Sequence, residues 1–217
     1  LAVRDENTAD IKCTNINCPA QLEGRIINFV GRGAMDIKGF GEKYIKSLIA
    51  EGYIKDIADI YYLNEKRDEL IEKGIIGKEK NTDKLLGKIE ESRNNTPWRL
   101  LAGMGISNIG KAAAQSLISY FHSIDVLSKS SLEEIEKVND IGGISSQLIF
   151  DFFRDAKNIN VIDKLKNAGV NMEETAAEKE SNSNIEGKTF VLTGTLSTGR
   201  SETAAEIERL GGKVTNS

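Results

Sequence analysis

The stretch KGFGEKYIKSLI at residues 38–49 recurs in altered form three more times along the chain. The later copies are GKEKNTDKLLGKI at 77–89, NIGKAAAQSLI at 108–118 and DIGGISSQLI at 140–149. Internal repetition at such spacing marks one structural unit used again and again. Gly41, Lys78, Gly110 and Gly142 anchor the four copies. Four residues after each anchor stand Ile45, Thr82, Ala114 and Ser146, and seven after stand Leu48, Leu85, Leu117 and Ile149. Offsets of four and seven fall on one face of a helix, so each anchor opens a helix that buries that face. The last three anchors follow one another at 32 residues, and the first gap is 37.

Two residues before the anchors stand Gly39, Ile76, Asn108 and Asp140. Gly, Asn and Asp are the residues that tolerate a left-handed backbone. Phe40, Ile109 and Ile141 lie in between, hydrophobes suited to pin a hairpin to a core. The second copy has Ile76, Gly77 and Lys78 there and reads as degenerate. A small–hydrophobic–Gly turn that opens a helix is the helix-hairpin-helix motif. Successive backbone N–H groups at the helix N-terminus form a concavity suited to a phosphate oxygen. A glycine lets that phosphate approach with no Cβ in the way. Such contacts read no base, so DNA binding is expected to tolerate any sequence. The expected DNA-binding residues are Gly39, Phe40, Gly41, Lys43, Lys78, Lys80, Asn108, Ile109, Gly110, Lys111, Ile141, Gly142 and Gly143. Lys43, Lys80 and Lys111 lie just inside three helices, where each adds a second phosphate contact. A single glycine turn can merely join two helices, but four near-equal repeats argue for more.

Composition is ordinary for a soluble chain, with 39% hydrophobic and 29% charged residues. Two prolines among many helix formers predict a mostly α protein. The net charge of −4 argues against a broad basic patch and leaves room for backbone amides with a few placed lysines. No apolar run is long enough for a bilayer and residues 1–20 carry no signal-peptide pattern, so a cytoplasmic monomer with no membrane partner is expected.

The rest of the chain divides around this array. Residues 1–24 hold Cys13 and Cys18, a pair that reads as half of a zinc site, because structural zinc needs four ligands. The four repeats occupy 25–170, and the polar stretch 171–184 reads as a linker. Residues 185–217 predict a strand at TFVLTG, a helix at SETAAEIERL and the start of a second strand, a truncated α/β segment. Ser201 suits its N-cap and Gly211 its C-terminus. Gly194 to Ser201 nearly matches a P-loop, but Arg200 replaces the required lysine, so nucleotide binding is an alternative of a different class. His122 reads as a surface or partly packed residue, and Trp98, Phe121, Phe150, Phe152 and Phe153 as core at helical spacing. No carboxylate pair, nucleophile–base pair or Lys-x-Asp-Gly sequence marks a catalytic centre.

Several stretches meet in one order: Cys13-Thr-Asn through Cys18-Pro-Ala-Gln, then Ile27-Asn-Phe-Val-Gly-Arg and Ala34-Met-Asp-Ile-Lys-Gly-Phe-Gly-Glu-Lys. Asp56-Ile-Ala-Asp-Ile-Tyr, Gly105-Ile-Ser-Asn-Ile-Gly and Gly187-Lys-Thr-Phe-Val-Leu-Thr-Gly-Thr-Leu follow. Together they closely resemble the carboxy-terminal part of bacterial NAD⁺-dependent DNA ligases, over essentially the whole chain. The resemblance implies a four-cysteine zinc finger, of which Cys13 and Cys18 match the second pair, then a four-unit helix-hairpin-helix domain, then a BRCT domain. It implies a parent enzyme that adenylates itself from NAD⁺, passes AMP to a 5′ phosphate and seals the nick with magnesium. NAD and magnesium would act in the parent rather than here, and this chain would hold the nicked duplex. A non-catalytic repair or recombination protein built on the same repeats is the alternative within DNA binding.

Overall fold

The computed structural model describes residues 2–4, 11–13, 19–174, 185, 187–193, 199–209 and 211–215. The chain falls into two compact units, 1–173 and 174–217.

The first unit opens on a short antiparallel pair, β1 (Ala2–Arg4) and β2 (Ile11–Cys13), with Ala2 opposite Cys13. Helices follow: α1 (Pro19–Val30), α2 (Glu42–Ala50), a 3₁₀ helix (Ile57–Lys66), α3 (Arg67–Glu72), α4 (Glu79–Ser92) and α5 (Pro97–Gly103). Then come α6 (Lys111–Phe121), α7 (Ile124–Lys129), α8 (Leu132–Ile135), α9 (Gly143–Phe152) and α10 (Ala156–Asn167). The boundary expected between residues 24 and 25 falls inside α1, which starts at Pro19, so the helical array begins earlier than the sequence reading placed it. Pro suits the first turn of a helix, where its missing N–H has no partner to lose.

Consecutive helices pack in pairs around the four anchors: α1 with α2, α3 with α4, α5 with α6 and α8 with α9. These are hairpins 1 to 4. The repeated offsets explain the packing. Ile45 and Leu48, Thr82 and Leu85, Ala114 and Leu117, Ser146 and Ile149 are all buried. The two hydroxyls in that set stay satisfied by turning back to their own loops: Thr82 donates to the Gly77 carbonyl at 3.4 Å and Ser146 to that of Gly142 at 3.2 Å. One hydrophobic core runs through the whole unit, from Ile26 to Met172. Truncating a fully buried member such as Leu48 to Ala costs about 2–5 kcal/mol.

The connecting elements start on side-chain caps. Asp56 and Ser131 each form a reciprocal capping box, with Asp59 and Glu134. Ser123 caps α7 and Asp155 caps α10. His122 ends α6 with a left-handed φ of 59° and lies exposed.

The second unit contains β3 (Thr189–Val191), α11 (Arg200–Arg209) and β4 (Lys213–Thr215). The strands pair in parallel, Phe190 opposite Val214, as a strand–helix–strand crossover allows. The N–H of Thr203 donates to the Gly199 carbonyl at 2.9 Å, so the helix starts on Gly199, and Ser201 lies inside it rather than capping it. Gly211, with φ of 81°, ends the helix as expected. Residues 194–198 of the P-loop-like stretch, Cys18 and residues 175–184 of the expected linker lie outside the described residues. Among the described residues no helix is long and apolar enough to cross a membrane.

Candidate nucleic-acid interface

Hairpins 1, 3 and 4 share one turn geometry. The N–H groups of Phe40, Ile109 and Ile141 donate to the carbonyls of Ile37, Ile106 and Val138, at 3.3, 3.0 and 3.2 Å. The third residue of each turn is left-handed: Gly39 at φ 86°, Asn108 at 67° and Asp140 at 65°. A four-residue turn of this kind needs a positive φ there. Both ends of each turn are buried, Ile37 with Phe40, Ile106 with Ile109 and Val138 with Ile141, while the two middle residues are exposed. Burial at first and fourth positions thus pushes the turn tip outward. It also means that Phe40, Ile109 and Ile141, expected among the DNA-binding residues, turn their side chains into the core while their N–H groups are engaged within the turn, so they shape the hairpin.

The anchors follow directly. Gly41, Gly110 and Gly142 are exposed and precede the first residue of α2, α6 and α9. Their backbones are extended, with φ of −76°, −94° and −81°. Any residue adopts such angles. A Cβ built on any of the three would meet nothing within 4 Å. Neither conformation nor internal packing therefore asks for glycine at these positions. The space in front of them is open to an outside group. The helices they open carry no side-chain cap, and neither does α4 after Lys78. The N–H groups of their first two residues lack intrahelical partners and point out along the positive end of the helix dipole. An anion is the ligand that suits them.

Lys43 and Lys80 are the second residues of α2 and α4, Lys111 is the first residue of α6, and all three are exposed. In hairpin 4, Gly143 opens α9 and Ile144 takes the place of Lys43 and Lys80, with 78% of its surface exposed. Aligning the copies residue by residue shows this replacement, which hydrophobic periodicity alone had hidden. Hairpin 2 departs most. Its left-handed residue is Gly77 (φ 119°), one place later than in the others, and Ile76 is buried instead of exposed. Lys78, exposed, takes the N-cap position. Beside it, Arg67 binds Asp83 at 2.6 Å, Glu79 at 2.9 Å and Asp68 at 3.0 Å. The Asp83 carboxylate first, then Glu79, pushes the Arg67 guanidinium further toward its charged form. Hairpin 2 therefore presents acidic side chains already committed to an arginine.

The aromatics divide. Phe121 and Phe153 are buried, as expected for core residues. Phe152 is half-buried, and half-buried Phe150 carries the Arg154 guanidinium 3.2 Å from its ring centre. Trp98, also half-buried, gathers two cations: Arg99 lies 4.7 Å and Lys111 5.6 Å from its ring centre. Sequence spacing gave no sign of that cluster, which depends on the hairpin bringing Lys111 back beside α5. Cys13 ends β2, and Cys18 lies outside the described residues. Among the described residues no three His, Cys, Asp or Glu side chains gather closely enough to hold a metal.

Residues 99–162 match the family described as the helix-hairpin-helix motif, a span that covers most of hairpin 3 and all of hairpin 4. The chain is 43% identical over 216 residues to a protein of Clostridium kluyveri named DNA ligase, covering 99% of this chain and 33% of the relative. It is 46% identical over 218 residues to a DNA ligase of Thermoanaerobacter sp. (strain X514), covering 100% of this chain and 32% of the relative. A DNA ligase of Clostridioides difficile (strain 630) is 42% identical over 217 residues, 99% of this chain and 32% of its own length. The chain thus spans about a third of the length of these curated relatives.

Proposed function

The chain is a DNA ligase homologue along its whole length, and from that premise we propose that it is the part that holds nicked duplex DNA by its phosphates. The observation that carries this reading is the trio Gly41, Gly110 and Gly142. Each is exposed, conformationally unconstrained and uncrowded, and each precedes an uncapped helix. Phosphate oxygens accept from the free N–H groups, and Lys43 and Lys111 add charge beside hairpins 1 and 3. Hairpins 1 and 3 carry most of the grip. Hairpin 4 contributes less, because Asp140 is exposed at its tip and repels phosphate. Binding is indifferent to base sequence, since no base edge is read.

The parent activity is NAD⁺-dependent sealing of a 5′-phosphate to a 3′-hydroxyl, with magnesium, in replication and repair. This chain contributes placement of the nick rather than bond chemistry. Cys13 and Cys18 supply two thiolates of a structural zinc site whose remaining ligands lie elsewhere. The pairing of β1 with β2 up to Cys13 supports a zinc-finger-like start. The β3–α11–β4 order supports a BRCT-like reading of 185–217. We place the protein in the cytoplasm as a monomer.

The test is binding of nicked and intact duplexes of several sequences across a salt series. Lys43→Ala and Lys111→Ala should each weaken binding equally on every sequence and lower the log–log salt slope by about one unit. Folded Gly41→Val and Gly110→Val variants that both bind like the parent chain would overturn the reading.

A further inference from the structure

Hairpins 1 and 3 are stitched to each other by side-chain hydrogen bonds to backbone carbonyls. Asn28 in α1 donates to the carbonyls of Ala102 and Gly103 in α5, at 3.3 and 3.4 Å. Asn95 donates to the Met35 carbonyl at 2.7 Å. Arg99 in α5 donates through Nη1 to the carbonyls of Ala34 at 2.8 Å and Arg32 at 3.2 Å. Three carbonyls of the hairpin 1 loop thus find their donors on the segment that leads into hairpin 3. Such loop carbonyls need partners once a neighbouring element covers them. The guanidinium of Arg99 also lies on Trp98, whose ring carries the Lys111 ammonium at the start of α6. Arg99 therefore touches the hairpin 1 loop directly and the opening of the hairpin 3 helix through one aromatic ring. The loop it holds runs straight into the Ile37–Phe40 turn and Gly41.

We infer that Arg99 is a positioning residue that fixes the hairpin 1 turn relative to the hairpin 3 turn, so that both meet one duplex together. The inference rests on the phosphate-binding reading above. Two sites on a rigid frame bind as a bivalent unit, because engagement of the first presents the second at high effective concentration. Loosening the frame lowers that concentration while leaving each turn intact. The loss of Arg99 should therefore matter only while both turns can bind.

The experiment measures duplex affinity for four versions of the full 217-residue chain: parent, Arg99→Met, Gly110→Val and the double variant. Arg99→Met should weaken binding roughly fivefold in the parent and less than about twofold in the Gly110→Val background. Asn28→Ala, which loosens the same joint and keeps the guanidinium, should repeat the pattern and serves if Arg99→Met fails to fold. Trp98 is the sole tryptophan, so a change in its emission reports directly that the cation has left the ring. Equal loss in both backgrounds overturns the inference, since a general stabiliser or a direct DNA contact behaves that way. If Gly110→Val binds like the parent while Arg99→Met still weakens binding, the phosphate reading of hairpin 3 is what fails.

Discussion

The ammonium of Lys164 in α10 donates to the carboxylate of Asp56 at 2.6 Å, across 108 positions of sequence. Asp59 takes a second bond from it at 2.7 Å, and the Tyr62 hydroxyl donates to the Lys164 carbonyl at 3.1 Å. The last helix of the first unit is thereby locked onto the 3₁₀ helix that follows hairpin 1. Burial opposes the charge on Lys164, but the Asp56 and Asp59 carboxylates outweigh it and raise the lysine above its ordinary value. Lys164→Met should leave both carboxylates without their cation and cost about 1–2 kcal/mol in a denaturant melt. The folded state binds this proton more tightly than the unfolded chain does. The lysine's contribution is therefore complete below the ordinary lysine value of about 10.4 and is lost as pH rises from there through the higher value of the folded state. Parent and variant stabilities should converge there; a gap that closes between pH 6 and 8 would contradict the assignment.

Gly41→Val and Gly110→Val should fold. Their φ values are ordinary and their surroundings empty, so the cost is that of a poorer N-cap, about 1 kcal/mol or less. Duplex affinity should nonetheless fall on the order of tenfold for each, the value of one charge-assisted hydrogen bond. Circular dichroism melts beside anisotropy titrations separate the two effects.

Asp140→Asn should tighten DNA binding. Asparagine keeps the left-handed backbone at φ 65° and removes a carboxylate from an exposed turn tip. The gain should be a fewfold at low salt and fade as ionic strength shortens the screening length below about 10 Å. A gain that persists at high salt would mean a new hydrogen bond rather than relief of repulsion.

Gly103→Ala should destabilise the fold by about 1–3 kcal/mol. The added Cβ would lie 2.9 Å from Cδ2 of Phe29 and 3.3 Å from Cβ of Ala34, in the contact between α5 and hairpin 1. Phe29→Leu in the same chain should recover part of the loss by vacating that contact. An unchanged melting temperature for Gly103→Ala alone would show that α1 and α5 part more easily than their packing suggests.

Zinc should dissociate from this chain on dialysis against a chelator. Cys13 and Cys18 give two thiolates, half of what structural zinc requires. Retention of one tightly held zinc per chain in metal analysis would disprove this.

Repeated offsets of four and seven residues by themselves determined that four helices open directly after residues 41, 78, 110 and 142 and which face of each is buried, because helical periodicity leaves no other face for Leu48, Leu85, Leu117 and Ile149. The left-handed turns at Gly39, Asn108 and Asp140 were legible too, since few residue types tolerate that backbone. Residue types also pointed to Gly41, Gly110 and Gly142. Only the tertiary structure decided that nothing within the chain crowds those three glycines, because empty space around a Cβ is a property of neighbours distant in sequence. It likewise moved the start of the array to Pro19 and the N-cap of α11 to Gly199, since helix ends depend on which N–H finds which carbonyl. The joint of Arg99 with Arg32 and Ala34, and the lock of Lys164 on Asp56, were invisible to any local pattern. Contacts across 65–108 positions exist only after the hairpins have packed, and no periodicity within one helix encodes which carbonyl or carboxylate will arrive beside it.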